Sequence, residues 1–143
     1  MVKTRFLSLS TGVSLSLLLA ILACKDKPFT LGQGAPELVG TWRLVERADT
    51  RDTALVVRSI PATPEQSITF TAEGAVSSQG KELEYYRPAR YYRREDVQPT
   101  PLVRFYVGEQ HANFTQDFSL RNDTLAFLPR CERRCYLLFV RGR

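Results

Sequence analysis

The chain has 143 residues, 43% of them hydrophobic, and carries 20 Lys and Arg against 15 Asp and Glu. Segment 1–23 holds two of the basic residues, Lys3 and Arg5, and no acid, so the remainder has 18 (20 − 2) bases and 15 acids, a net charge near +3. Many arginines stand beside Asp or Glu, as in "VERADTRD" and "RREDV". That is a mixed-charge solvated surface, not the basic profile of a nucleic-acid binder. The length after residue 23 allows one domain.

In chain order, "MVKTRFLSLSTGVSLSLLLAILAC" gives a basic start, an apolar run over 6–23 and a small residue, Ala23, before Cys24. This is the order of a secretory signal. The run is also just long enough to cross a bilayer, which leaves an uncleaved anchor as the alternative. "ILAC" resembles a bacterial lipobox. The resemblance implies a signal peptide over 1–23 that is removed and a lipidated Cys24 at the mature N-terminus. It also implies a membrane partner reached through that lipid, and residence in the bacterial cell envelope as an outer-membrane lipoprotein, facing the periplasm or the surface. Several acyl chains hold a protein firmly where one does not. "KDKPFTLGQGAPE" is rich in Gly, Pro and charge, so 24–37 reads as a flexible tether. "CKDK" is similar to the charged export signals of Bacteroidota surface lipoproteins, with a plain periplasmic spacer as the alternative.

From Leu38 to the end, short apolar-polar runs alternate with turn signals. "GTWRLVE" (Gly40–Glu46) puts Trp42 and Leu44 on one face. "TALVVRS" follows, then the breaker "PATPE". "QSITF" and "GAVSSQ" flank "TAEG", a hairpin turn closed by Gly74. "LVRFYVG" aligns Val103, Phe105 and Val107. "ANFTQDFSL" aligns Phe114, Gln116, Phe118 and Leu120. "RND" turns into "TLAFLP", with Leu125 and Phe127 inward, and "CYLLFVRGR" ends the chain. No long 3.6-residue period appears in this region. Eight to nine short strands at this spacing predict an all-β barrel or sandwich, and nearest-neighbour hairpins would close an up-and-down antiparallel barrel without free edges.

"EYYRPARYYRRE" (Glu84–Glu95) is the most distinctive stretch. Its main reading is a strand pair or bent strand, interrupted at Pro88, with solvated arginines and partly inward tyrosines. The other reading is a patch at the barrel mouth or surface, formed by Tyr85, Tyr86, Arg87, Arg90, Tyr91 and Tyr92, that binds an acidic or aromatic partner. The cysteines besides Cys24 are Cys131 and Cys135 in "RCERRCY". They read as a disulfide that staples the turn into the last strand, ahead of two free thiols. With His111 as the single histidine, four zinc ligands are not in prospect, and no metal, cofactor or catalytic set is expected.

"ELVGTWRLVE" resembles the opening of lipocalin-like domains, where Gly-x-Trp starts the first strand; here that is Gly40 and Trp42. Arg141 in "CYLLFVRGR" stands where lipocalins place an arginine across that tryptophan. The nearest resemblance is to small lipocalin-like lipoproteins of Bacteroidota, over roughly 37–143. It implies a lipocalin-like barrel of about eight strands over 38–143, in which Gly40, Trp42 and Arg141 close one end. It implies a non-enzymatic protein that binds a small apolar or amphipathic ligand among the inward Phe70, Phe105, Phe114, Phe118 and Phe127. A filled barrel would instead make a structural or interaction module with an envelope protein as partner, and nucleic acid is not expected in either case. "DTA" (Asp52–Ala54) and "DTL" (Asp123–Leu125) also fit a tripeptide that resembles the O-glycosylation site of Bacteroidota, at Thr53 and Thr124.

Overall fold

Among the described residues, alternation of apolar and polar residues between turn signals builds nine antiparallel strands and one 3-10 helix. The computed structural model describes residues 34–108 and 112–142; Cys24, segment 1–23 and His111 lie outside the described residues. In chain order the elements are β1 (Gly40–Arg51), β2 (Ala54–Ser59), β3 (Ser67–Phe70) and β4 (Val76–Gln79), then the 3-10 helix (Lys81–Tyr86). They continue with β5 (Tyr91–Glu95), β6 (Leu102–Tyr106), β7 (Asn113–Arg121), β8 (Thr124–Leu128) and β9 (Cys135–Arg141).

The sheet runs β4-β3-β1-β9-β8-β7-β6-β5, with β2 paired to β1 off this path. The two ends of the path meet. Ala75 bridges Tyr91, the Val76 N–H donates to Arg90 O at 2.9 Å, and the Tyr92 N–H donates to Gly74 O at 2.8 Å. Eight strands therefore make a nearly closed up-and-down antiparallel barrel, the all-β lipocalin-like form, and closure removes the sheet edges.

β1 organises the structure because it outlasts the barrel wall. One stretch of it (Gly40–Arg43) pairs with β3 and another (Glu46–Arg51) with β2, both antiparallel. The handover is marked by Ile60 N–H donating to Val45 O and Leu44 N–H donating to Gln66 O, both 2.8 Å. Between those points the chain swings out through Pro61 and Pro64. The sequence limits the first strand to Glu46, but it continues to Arg51. Beyond the wall, β1 and β2 form a two-stranded arm. Its turn is two residues long and Asp52 takes a φ of 54°, a left-handed conformation that Asp and Asn tolerate better than most residues. Asn122 does the same between β7 and β8, at φ 50°. Thr53 is thus exposed at a hairpin tip, while Thr124 is the half-buried first residue of β8.

Two further expectations shift. The tether predicted for 24–37 is docked over its described part: the Gly34 N–H donates to Ala72 O at 2.8 Å and Ala35 is buried. "EYYRPARYYRRE" is not a strand pair. Glu84–Tyr86 belong to the 3-10 helix, the Arg87 and Ala89 N–H groups close turns onto Glu84 O and Tyr86 O, and only Tyr91–Glu95 is strand. Pro88 supplies no N–H for a ladder, and Gly80, at φ 97°, lets the chain leave β4 on a path most side chains would resist.

Among the described residues the interior is packed with apolar side chains. Trp42, Leu44, Ile68, Phe70, Leu83, Val103, Phe105, Leu125, Phe127 and Phe139 are essentially inaccessible. Rings meet in sequence around the barrel: Phe127 to Phe139 at 5.2 Å between centroids, Phe105 to Phe114 at 5.0 Å, Phe70 to Tyr92 at 4.7 Å. These are spacings at which aromatic pairs add roughly 0.5–1.5 kcal/mol beyond burial.

Candidate functional site

The two ends of the barrel differ in construction. At one end β1 begins beside the end of β9, with Trp42 directly opposite Arg141 in the ladder. The Arg141 guanidinium carbon lies 4.2 Å from the centre of the Trp42 ring. Arg141 also donates to Val39 O at 2.7 Å, to Glu37 O at 3.0 Å and to Asp123 Oδ1 at 3.2 Å. The Trp42 indole N–H donates to Leu38 O at 2.7 Å. Gly40 makes room for this: its φ is 128°, and a Cβ there would sit 3.0 Å from Arg141 Nη1. The structure thus brings Gly40, Trp42 and Arg141 together, in a cap made of packing and satisfied backbone carbonyls.

At the other end, the mouth, the 3-10 helix lies across the opening. Tyr86 is its plug. The ring packs 5.4 Å from Phe127 and 5.5 Å from Phe105, and the hydroxyl donates to Gln116 Oε1 at 2.7 Å, buried. Burial holds the Tyr86 hydroxyl well above the ordinary tyrosine range; neighbouring Tyr85 pushes the same way and Arg47 opposes. Gln116 is the one polar member of the inward stripe of β7 that is fully buried, and this hydrogen bond is why it is tolerated there.

Outside the plug is a cleft of about 500 Å³. Tyr85, Tyr86 and Leu137 give it apolar surface; Arg47, Glu82 and Arg130 give it charge. A β-bulge puts Arg47 there. The β1–β9 register slips between Leu44 and Glu46, after which Arg47 stands opposite Leu137 and Asp49 opposite Cys135. A one-residue slip exchanges the two faces of a strand, so the arm's charged residues turn toward the mouth. Arg47 is held by Asp49 at 2.9 Å and Glu82 at 3.2 Å, and Arg58 of β2 also reaches Glu82 at 2.9 Å. The Asp49 hydrogen bond, before any other cause, raises Arg47 above its ordinary pKa. Glu82 is placed in turn by its N–H donating to Gln66 Oε1 at 2.9 Å.

Cys131 and Cys135 form a disulfide with Cα atoms 6.2 Å apart, and both line the cleft. Thr50 donates to Arg134 O at 2.6 Å, tying this loop to the arm. Arg130, in the same loop, faces the cleft with no ion-pair partner among the described residues.

The six residues of the candidate tyrosine–arginine patch do not form one surface. Tyr86 and Tyr92 are in the core, each 3% exposed. Tyr92 donates to Thr71 O at 2.9 Å, and burial pushes its hydroxyl up to about 12. Tyr85, at 65% exposed, and Arg87 and Arg90 remain outside, and Tyr91 is half-buried. The 3-10 helix turns Tyr85 and Tyr86 to opposite sides, as strand alternation also would, but aims Tyr86 into the core. Tyr85 alone of the six pairs exposure with a position on the cleft, its ring 4.9 Å from Phe114. Sequence reading missed Arg47, Glu82 and Arg130 as cleft residues. Gln116 carried a visible signal, a polar side chain in an apolar stripe. Among the described residues no three His, Cys, Asp or Glu side chains gather into a metal-sized cluster.

A lipocalin-like barrel with a cleft over a packed interior is the scaffold of a binding-type protein. No protein-family model, no curated protein and no solved structure matches the chain.

Proposed function

We propose that the chain is a lipid-anchored lipoprotein of the bacterial cell envelope, held to the outer membrane through Cys24, that acts by binding and not by catalysis. Its ligand is a small amphipathic anion, taken at the barrel mouth and not inside the barrel. The observation that carries this reading is the cleft itself: aromatic and aliphatic surface from Tyr85, Tyr86 and Leu137 beside Arg130, whose guanidinium has no ion-pair partner among the described residues. Arg47 and Glu82 are already paired with protein groups, which leaves Arg130 to meet a carboxylate, sulfonate or phosphate. The packed aromatic interior speaks against the deeper site that the inward phenylalanines suggest.

The test is titration of the full chain, reconstituted in lipid nanodiscs, with anilinonaphthalene sulfonate, a flat aromatic anion, using empty nanodiscs as the blank. Saturable binding is expected. Arg130→Gln should weaken it about tenfold, the worth of one charge-assisted hydrogen bond. Binding that is absent, or indifferent to both Arg130→Gln and Tyr85→Ala, would remove the mouth as a ligand site.

A second reading, an interaction module with an envelope protein as partner, is favoured by a different observation, the exposed apolar strand β2.

A further inference from the structure

β2 is the least sheltered strand in the barrel domain. All six of its residues are exposed, and Leu55, Val56 and Val57 are 45%, 42% and 50% accessible. Successive side chains of a strand point to opposite faces, so β2 presents apolar side chains on both of its faces. Among the described residues its one paired neighbour is β1. Since Ile60 donates to Val45 O, Arg58, Val56 and Ala54 turn their backbone groups toward β1 in steps of two. Leu55, Val57 and Ser59 turn theirs outward. Edge strands are normally blunted by lysine, proline, an inward charge or a covering element, and Ala54–Val57 contains no charge and no proline.

We propose that the arm pairs with the arm of a second copy of this chain, β2 against β2 in antiparallel register about a two-fold axis through Val56. This goes beyond the mouth site and does not depend on it. The sequence is self-complementary in this register. Val56 meets Val56 of the second copy, and Leu55 meets Val57 in both directions, so each large exposed apolar side chain of the strand acquires an apolar partner. Leu55 and Val57 are outward-bonding residues in both copies, so the backbone donors and acceptors match. Charges stay apart: in this register Arg58 falls opposite Ala54 of the second copy and keeps its ion pair with Glu82 of its own chain, so the two Arg58 side chains do not meet. A different protein would have to supply a strand of the same length and polarity by chance; a second copy supplies it by symmetry. The strip is short against the roughly 20–30 residues a side of standard interfaces, which makes it a weak contact, suited to chains that a common membrane surface concentrates.

The register gives a sharp test. Val56 and its symmetry mate form a non-hydrogen-bonded pair with Cα atoms about 4.5 Å apart, within the range a disulfide spans. The full chain carrying Val56→Cys is oxidised in intact envelopes and compared with Ser119→Cys, an exposed position on β7. Val56→Cys should give a product of twice the monomer mass in several-fold greater yield than Ser119→Cys. Adding Val57→Lys should abolish it, with the urea midpoint unchanged because both positions are exposed. Equal yields from the two cysteines, no product, or a product of any other mass would each overturn the homotypic pairing, the last by naming a different protein as the occupant.

Discussion

The closed end and the mouth bury aromatic side chains by opposite means. At the closed end Trp42 and Arg141 are neighbours in one ladder, and the arginine spends its donors on the carbonyls of Glu37 and Val39. Apart from Asp123 in the β7–β8 turn, everything there is local to two paired strands and the segment leading into them. At the mouth the plug, Tyr86, comes from a 3-10 helix that belongs to no ladder, and its hydroxyl is met by Gln116, 30 residues away. The closed end is therefore a matter of pairing and packing, and the mouth is a matter of polar groups that must find one another. The first arrangement fixes the barrel. The second leaves a lined cleft outside it.

The largest effect should come from breaking the closed end. Trp42→Ala should cost about 3–5 kcal/mol, the range for emptying a large aromatic from a core, against roughly 5–15 kcal/mol for a whole domain. Arg141→Ala should cost less, about 1–2 kcal/mol, from lost stacking on the indole and lost hydrogen bonds. Because the residues touch at 4.2 Å, the double variant should fall short of the sum. Urea melts of the three variants measure the coupling, and additivity within about 0.3 kcal/mol would mean that the cation–π contact carries nothing.

The mouth should break differently. Tyr86→Phe keeps the ring and deletes only the hydroxyl, leaving Gln116 Oε1 buried without its donor, at a cost of about 1–3 kcal/mol. It should also change the alkaline limb of stability. Tyr86 and Tyr92 both hold their protons above the ordinary value near 10, chiefly through burial. A group whose folded pKa is raised contributes stability that is complete below its unfolded pKa and is lost as pH rises beyond it. The urea midpoint should therefore be flat up to about pH 10 and then fall, less steeply in Tyr86→Phe than in the native chain. Equal slopes would place the alkaline transition elsewhere.

What sequence made legible follows the same division. Alternation in "ANFTQDFSL" and "TLAFLP" identified strands and inward faces because side-chain period and burial are locked together in a closed barrel. The Gly40, Trp42 and Arg141 set could be picked out by resemblance, and it is also the set that two neighbouring strands bring together. The mouth escaped for two physical reasons. The bulge after Leu44 exchanges the faces of β1, so alternation counted from Trp42 places Arg47 on the wrong side. The 3-10 turn rotates Tyr85 and Tyr86 apart, one exposed and one buried, where a strand reading also separates them but points neither at a cleft. β2 was legible as a strand, yet nothing in "TALVVRS" says that it leaves the barrel; its exposure follows from β1 outlasting β3.

The smallest effect on stability should come from the residue most exposed at the mouth. Tyr85 is 65% accessible, and its hydroxyl makes no hydrogen bond among the described residues that would be stranded by truncation. Its ring contacts, 4.9 Å to Phe114 and 5.3 Å to Tyr86, lie at the rim, with solvent on the far side. Tyr85→Ala should accordingly change the urea midpoint by no more than an ordinary surface substitution, within about 0.5 kcal/mol. The same change removes most of the aromatic wall of the cleft, so binding of the aromatic anion should weaken several-fold while the fold is untouched. That separation is what the comparison of the two ends requires: at the closed end an aromatic is the structure, and at the mouth one aromatic plugs while its neighbour is free to bind. A stability loss for Tyr85→Ala comparable to that of Tyr86→Phe would show that both tyrosines belong to the plug, and the cleft would then have lost its one aromatic wall with no structural duty.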